Sequence, residues 1–116
     1  MAAPDPASYL PLPQAQLQVL VALTEGDKHG YAIMQDVERS SGGTVRMGPA
    51  SLYGTLKRLV EQGLAEERPQ AGDPDDDQRR RYYGLTGLGT AVCEAEVGRL
   101  ADLVRSARRN LRLRTT

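Results

Sequence analysis

The chain has 116 residues, enough for one domain with a modest core that would gain from a second copy covering more of it. It is 40% hydrophobic and 26% charged, as globular chains are, and no apolar run approaches the ~20 residues that cross a bilayer, so no membrane role is expected. Fifteen Lys and Arg balance fifteen Asp and Glu. The total charge therefore gives no support to nucleic-acid binding, and only its distribution can.

Residues 1–11 read as a flexible arm, kept extended by Pro4, Pro6 and Pro11 and lacking the basic start and apolar stretch of a secretory leader. Pro13 suits the first turn of a helix carrying Leu17, Val19, Leu20, Val21 and Leu23, with Gly26 as its stop. A turn over 26–30 leads to a second helix, with Tyr31, Ile33, Met34 and Val37 at helical spacing, closed by the Ser40 to Gly43 run. A third helix begins near Pro49, aligns Leu52, Leu56, Leu59 and Val60 on one stripe, and ends at Gly63.

Two short segments, 65–68 and 80–85, flank a polar loop and predict a β-hairpin. Thr86 is an N-cap for a long final helix to about Leu113. Its apolar positions Leu88, Val92 and Ala95, then Val97, Leu100, Val104, Ala107 and Leu111, alternate spacings of three and four with a phase slip between 95 and 97. Coiled-coil-like spacing favours a homodimer interface through Leu88, Val92, Leu100, Val104, Ala107 and Leu111, the bland alternative being a cap over the helix's own domain. Its later arginines, among them Arg99, Arg105 and Arg109, read as a solvated face. The expected architecture is mostly α with a small β-hairpin: a winged helix-turn-helix domain over 12–86 and a dimerisation helix over 87–116.

A wheel drawn on the third helix turns Ala50, Ser51, Gly54, Lys57 and Arg58 outward, with Tyr53 on the flank. Small residues let a helix sit deep in a major groove, Ser51 can donate to a phosphate or base edge, and Lys57 and Arg58 can neutralise phosphates. The bland reading is a solvated helix with two incidental cations. Arg79, Arg80 and Arg81 in a row before Tyr82 and Tyr83 favour the first reading, because a wing beside such a helix reaches adjacent backbone or minor groove. The acidic tip, Asp73 to Asp77, opposes DNA and is expected to swing away from it. Asp73, Asp75 and Asp77 begin a calcium-loop spacing, but Gln78 replaces its glycine and Gly84 its glutamate.

The single Cys93 excludes an internal disulfide and fits a reducing cytoplasm. With a single His29 as well, no His/Cys metal cluster can form in one chain, and no phosphate loop or nucleophile–base pair is present. No enzymatic activity and no cofactor are expected. His29 reads as a capping or packing residue. Two other functions fit the same elements: a winged helix used only for protein contact, which would tolerate charge reversal at Lys57 and Arg58, and a small-molecule module without DNA.

His29-Gly30-Tyr31-Ala32-Ile33, Gly48-Pro49-Ala50-Ser51-Leu52-Tyr53-Gly54-Thr55-Leu56-Lys57-Arg58-Leu59, Gly63-Leu64 and Arg79-Arg80-Arg81-Tyr82-Tyr83-Gly84-Leu85-Thr86-Gly87-Leu88-Gly89 together resemble the PadR family of transcriptional regulators, and the single long C-terminal helix looks like that of its short-tailed branch. The resemblance implies a homodimer that represses genes from a palindromic double-stranded operator and is released by a small-molecule effector. It implies DNA contacts from Ser51, Tyr53, Gly54, Lys57 and Arg58 on the helix and Arg79, Arg80 and Arg81 on the wing. Tyr31 would steady the second helix or reach a phosphate. Ala50 departs from the polar residue more usual there. With no Trp and no Phe, an aromatic-lined effector pore is not expected.

Overall fold

A computed structural model describes residues 4–69 and 81–112. Four helices and three strands follow in the order α1 (Gln14–Leu23), β1 (Lys28–His29), α2 (Gly30–Ser40), α3 (Pro49–Glu61), β2 (Ala65–Arg68), β3 (Tyr82–Leu85) and α4 (Gly87–Asn110). This is the winged helix order with the long final helix. Leu20, Ile33, Leu52, Leu56, Leu59 and Val92, from all four helices, meet in one core and are essentially without exposure. Val60, expected on the buried stripe of α3, lies largely outside it. A stripe only three side chains wide closes this small core, and Val60 falls just past its edge.

Helix ends follow local chemistry. Pro49 occupies the first turn of α3, where a missing N–H costs nothing. Gly63, at φ 76°, turns the chain out of α3 in the left-handed region that glycine tolerates. Thr86 caps α4 as expected: its Oγ1 accepts from the Gly89 amide at 2.9 Å and donates to the Gly63 carbonyl at 2.6 Å. One hydroxyl therefore ties the end of α3 to the start of α4.

The sheet is antiparallel in the order β1-β3-β2. Ala65 faces Leu85 and Glu67 faces Tyr83, while Lys28 pairs with Tyr83 from the other side. β1 corrects the expected turn over 26–30: two residues are too few to give an alternation signal. The second hairpin strand begins at Tyr82, and Arg79, Arg80 and the acidic tip lie outside the described residues.

The N-terminal segment also departs from the expected flexible arm. Pro6–Tyr9 forms a 3-10 turn capped by Asp5, whose carboxylate accepts from the Ala7 amide at 3.0 Å. Tyr9, Leu10 and Leu12 pack against the core, and the turn lies along α4. The Leu12 amide donates to Glu96 Oε2 at 2.7 Å, and Arg99 donates to the same carboxylate at 2.5 Å. Glu96 is only 1% exposed.

The Arg99 guanidinium holds the Glu96 carboxyl below the usual carboxylate range; burial pushes it up, and the Leu12 amide adds to the lowering. Folding thus depresses this group, so its stabilising effect is complete above the unfolded value of about 4.3 and fades as pH falls toward the folded one. Glu96→Gln is expected to lower stability near neutral pH by about 2 kcal/mol. Thermal melts should show that deficit shrinking on acidification toward pH 3; a deficit independent of pH would mean that the charge is not what stabilises.

Glu96 also marks the phase slip in α4. The stripe of Gly89, Val92, Cys93 and Glu96 docks on the chain's own domain, and from Val97 to Arg112 no residue is buried. Val92 is therefore removed from the expected dimer contacts, because its side chain is sealed in its own core. Leu88 is half-buried against that core. Burial also pushes the Cys93 thiol up, with Glu94 adding to the shift, as befits a packed thiol rather than a reactive one.

Candidate nucleic-acid interface

α3 presents two unlike faces. Leu52, Leu56 and Leu59 point into the core, and Thr55 turns its hydroxyl back to the Ser51 carbonyl at 2.9 Å. Ala50, Ser51, Gly54, Lys57 and Arg58 are all exposed. The outer face is small toward its N-terminal end and cationic toward its C-terminal end. Among the described residues nothing lies within 4 Å of where a Cβ on Gly54 would be, so no packing among them requires that glycine.

Tyr53 stands at the junction of α2 and α3. A Cβ on Gly30 would come within 2.5 Å of the Tyr53 hydroxyl and 3.2 Å of Leu52 Cδ2. Gly30 is thus the residue that lets α3 cross tightly against the start of α2. Tyr31, next in sequence, is exposed and belongs to a different cluster. Its ring stacks with His29 at a centroid distance of 6.5 Å, and His29 meets Tyr82 edge-on at 5.5 Å. His29 also caps α2, its Nδ1 accepting from the Ala32 amide at 3.3 Å.

At the root of the hairpin, Arg68 donates to the Leu85 carbonyl at 2.5 Å and to Asp27 at 3.2 Å. This clamp lies directly over Gly84, where a Cβ would fall 2.2 Å from Asp27 Oδ1. Sequence reading missed the clamp, although a glycine inside a short strand is its signal. Gly89 is a third such position, where a Cβ would sit 1.8 Å from the Leu64 carbonyl oxygen.

On the sheet face opposite the clamp, Glu67, Tyr83 and Arg81 turn toward α3, as pairing across β2 and β3 and alternation along the chain require. They meet Tyr53, Lys57, Val60 and Glu61 across a groove of about 430 Å³. Arg81 Nε lies 3.5 Å from Glu67 Oε1. Burial pushes the Tyr83 phenol up, Glu67 adds to the shift, and Arg81 opposes it. Of the residues singled out in sequence, the groove gathers Tyr53, Lys57 and Arg81. Ser51, Gly54 and Arg58 share the exposed face of α3, and Tyr31 lies apart with His29.

The family description "Transcriptional regulator PadR-like family" matches residues 19–95, from α1 through the hairpin into α4. The chain belongs to the PadR-like family. Two sequence relatives agree in extent. An uncharacterised 37.1 kDa protein of transposon Tn4556 from Streptomyces fradiae is 40% identical over 89 residues, covering 77% of this chain and 24% of that protein. This chain thus spans about a quarter of that relative's length. Uncharacterised protein X of Lysinibacillus sphaericus is 31% identical over 91 residues, covering 73% of this chain and 82% of that one.

The crystal structure of a PadR family transcription regulator from Clostridium difficile R20291 superposes with a TM-score of 0.69 at 18% identity, covering 85% of this chain and 99% of that one. At that identity the likeness establishes the winged helix fold. PadR-like proteins are DNA-binding transcriptional regulators rather than enzymes. Among the described residues no group of three His, Cys, Asp or Glu could hold a metal ion, and no helix is long and apolar enough to cross a membrane.

Proposed function

We propose that this PadR-like regulator is a homodimeric cytoplasmic repressor that holds a palindromic operator and leaves it when a small-molecule effector binds. The observation that carries the DNA reading is the outer face of α3, small at one end and cationic at the other, with Arg81 across the groove. Ser51, Tyr53, Gly54, Lys57 and Arg58 would enter or border the major groove, and Arg79, Arg80 and Arg81 would follow the backbone beside it. Tyr31 would contact a flanking phosphate from the start of α2.

The dimer reading is supported by α4, whose 24 residues extend about 36 Å. Val97 is 49% exposed, Val104 50% and Leu111 67%, at intervals of seven, with Leu100 and Ala107 between them. Such spacing suits a coiled-coil seam with a second copy of the helix. Leu103, 58% exposed, widens it. Repression and effector release rest on the resemblance to the family. Without Phe or Trp, the effector site would be lined by Leu, Val, Met and Ala.

Lys57→Ala is expected to weaken binding about tenfold and to lower the slope of log affinity against log salt by roughly 0.9 per subunit. The duplex for this titration comes from sequencing the genomic fragments retained by the purified protein, which should share an inverted repeat. Retained fragments without a common sequence, together with an unchanged Lys57→Ala titration, would remove this face from the operator contact.

A further inference from the structure

Two carboxylates share the groove with the two cations. Glu67 Oε1 lies 3.5 Å from Arg81 Nε beside the groove, and both side chains of that ion pair are 54% exposed. An exposed pair of this kind adds little to the stability of the fold, so stability does not account for a carboxylate on this face. On an approaching phosphate it acts directly, because it competes for the guanidinium with which the phosphate would pair. Glu61 lines the same groove from the end of α3 and adds negative charge there.

We propose that Glu67 is a phosphate competitor: it holds Arg81 in the unbound protein and must surrender it to a DNA phosphate. The proposal rests on the DNA reading above. Glu67 thereby sets an upper limit on affinity for any duplex, which keeps a protein of zero net charge from being held by random sequence. Glu66, its neighbour on β2, is an internal control. It opposes Gly84 on the other sheet face and pairs there with Arg68 at 3.0 Å, away from the groove.

The test measures affinity for a random-sequence duplex at low salt, where non-specific binding is electrostatic and needs no known operator. Breaking an exposed ion pair of this kind frees Arg81 for a phosphate at a factor of at most about five, so Glu67→Gln should bind about threefold more tightly per subunit and about tenfold as a dimer. Glu66→Gln, with the same change in net charge, should gain much less. In an Arg81→Ala background the gain from Glu67→Gln should largely vanish, because the carboxylate then has no guanidinium to withhold. Equal gains from Glu67→Gln and Glu66→Gln, or a gain that survives Arg81→Ala, would overturn the proposal while leaving DNA binding intact. A wild-type protein without affinity for any duplex would overturn both.

Discussion

Val104→Glu is expected to convert the protein from dimer to monomer at micromolar concentration without unfolding it. Val104 lies on the part of α4 beyond the subunit's own core, half exposed, so a charge there costs the monomer little. In a two-stranded seam the residue meets its own copy, and each buried valine contributes about 1.5–3 kcal/mol, counted twice by symmetry. Glutamate removes that contribution and opposes two like charges. Operator affinity should then fall by about 100-fold or more, because two half-sites are no longer held by one molecule. Light scattering reads the mass, and circular dichroism should show the helical content retained. An unaltered mass would move the interface away from Val104.

Substitutions at Gly54 should separate stability from DNA binding. Glycine inside a helix costs about 1 kcal/mol relative to alanine. Gly54 has open space where a Cβ would stand, so Gly54→Ala should raise stability by ~0.5–1 kcal/mol. Gly54→Glu should fold equally well yet lose about 100-fold in operator affinity, close to 2.7 kcal/mol. The longer side chain would keep α3 from the floor of the major groove and set a carboxylate among the phosphates. Unchanged binding by a folded Gly54→Glu protein would show that DNA approaches some other surface.

The helices and the hairpin can be read from the sequence because their apolar periods are long enough to register: Leu52, Leu56 and Leu59 define α3, and Thr86 announces α4. β1 leaves no such trace, being two residues that pair only because β3 lies beside them. The turn over Pro6–Tyr9 reads as an extended arm because it packs along α4, which is distant in sequence.

Glu96 looks like a solvated charge on a polar helix. Its clue is the phase slip after Ala95, where one buried face gives way to another that the subunit leaves open. The same slip separates Val92, consumed by its own core, from Leu100 and Val104, which are not. The outward face of α3 is visible from the wheel alone. The pairing of Arg81 with Glu67 is not, because it depends on the register of β2 against β3. The glycines at 30 and 89 stand out in sequence only as part of a family likeness, and Gly84 also as a glycine inside a short strand. Each is required by a neighbour that contacts alone reveal: a phenol, a carboxylate and a carbonyl.

A hydroxyl-radical footprint on a duplex recovered from genomic DNA tests the pairing of two α3 faces against one side of DNA most directly. The expected result is two protected patches related by a two-fold axis and spaced about one helical turn, or a multiple of it, apart. A single patch, or no protection at a protein concentration where light scattering records the intact dimer, would contradict it.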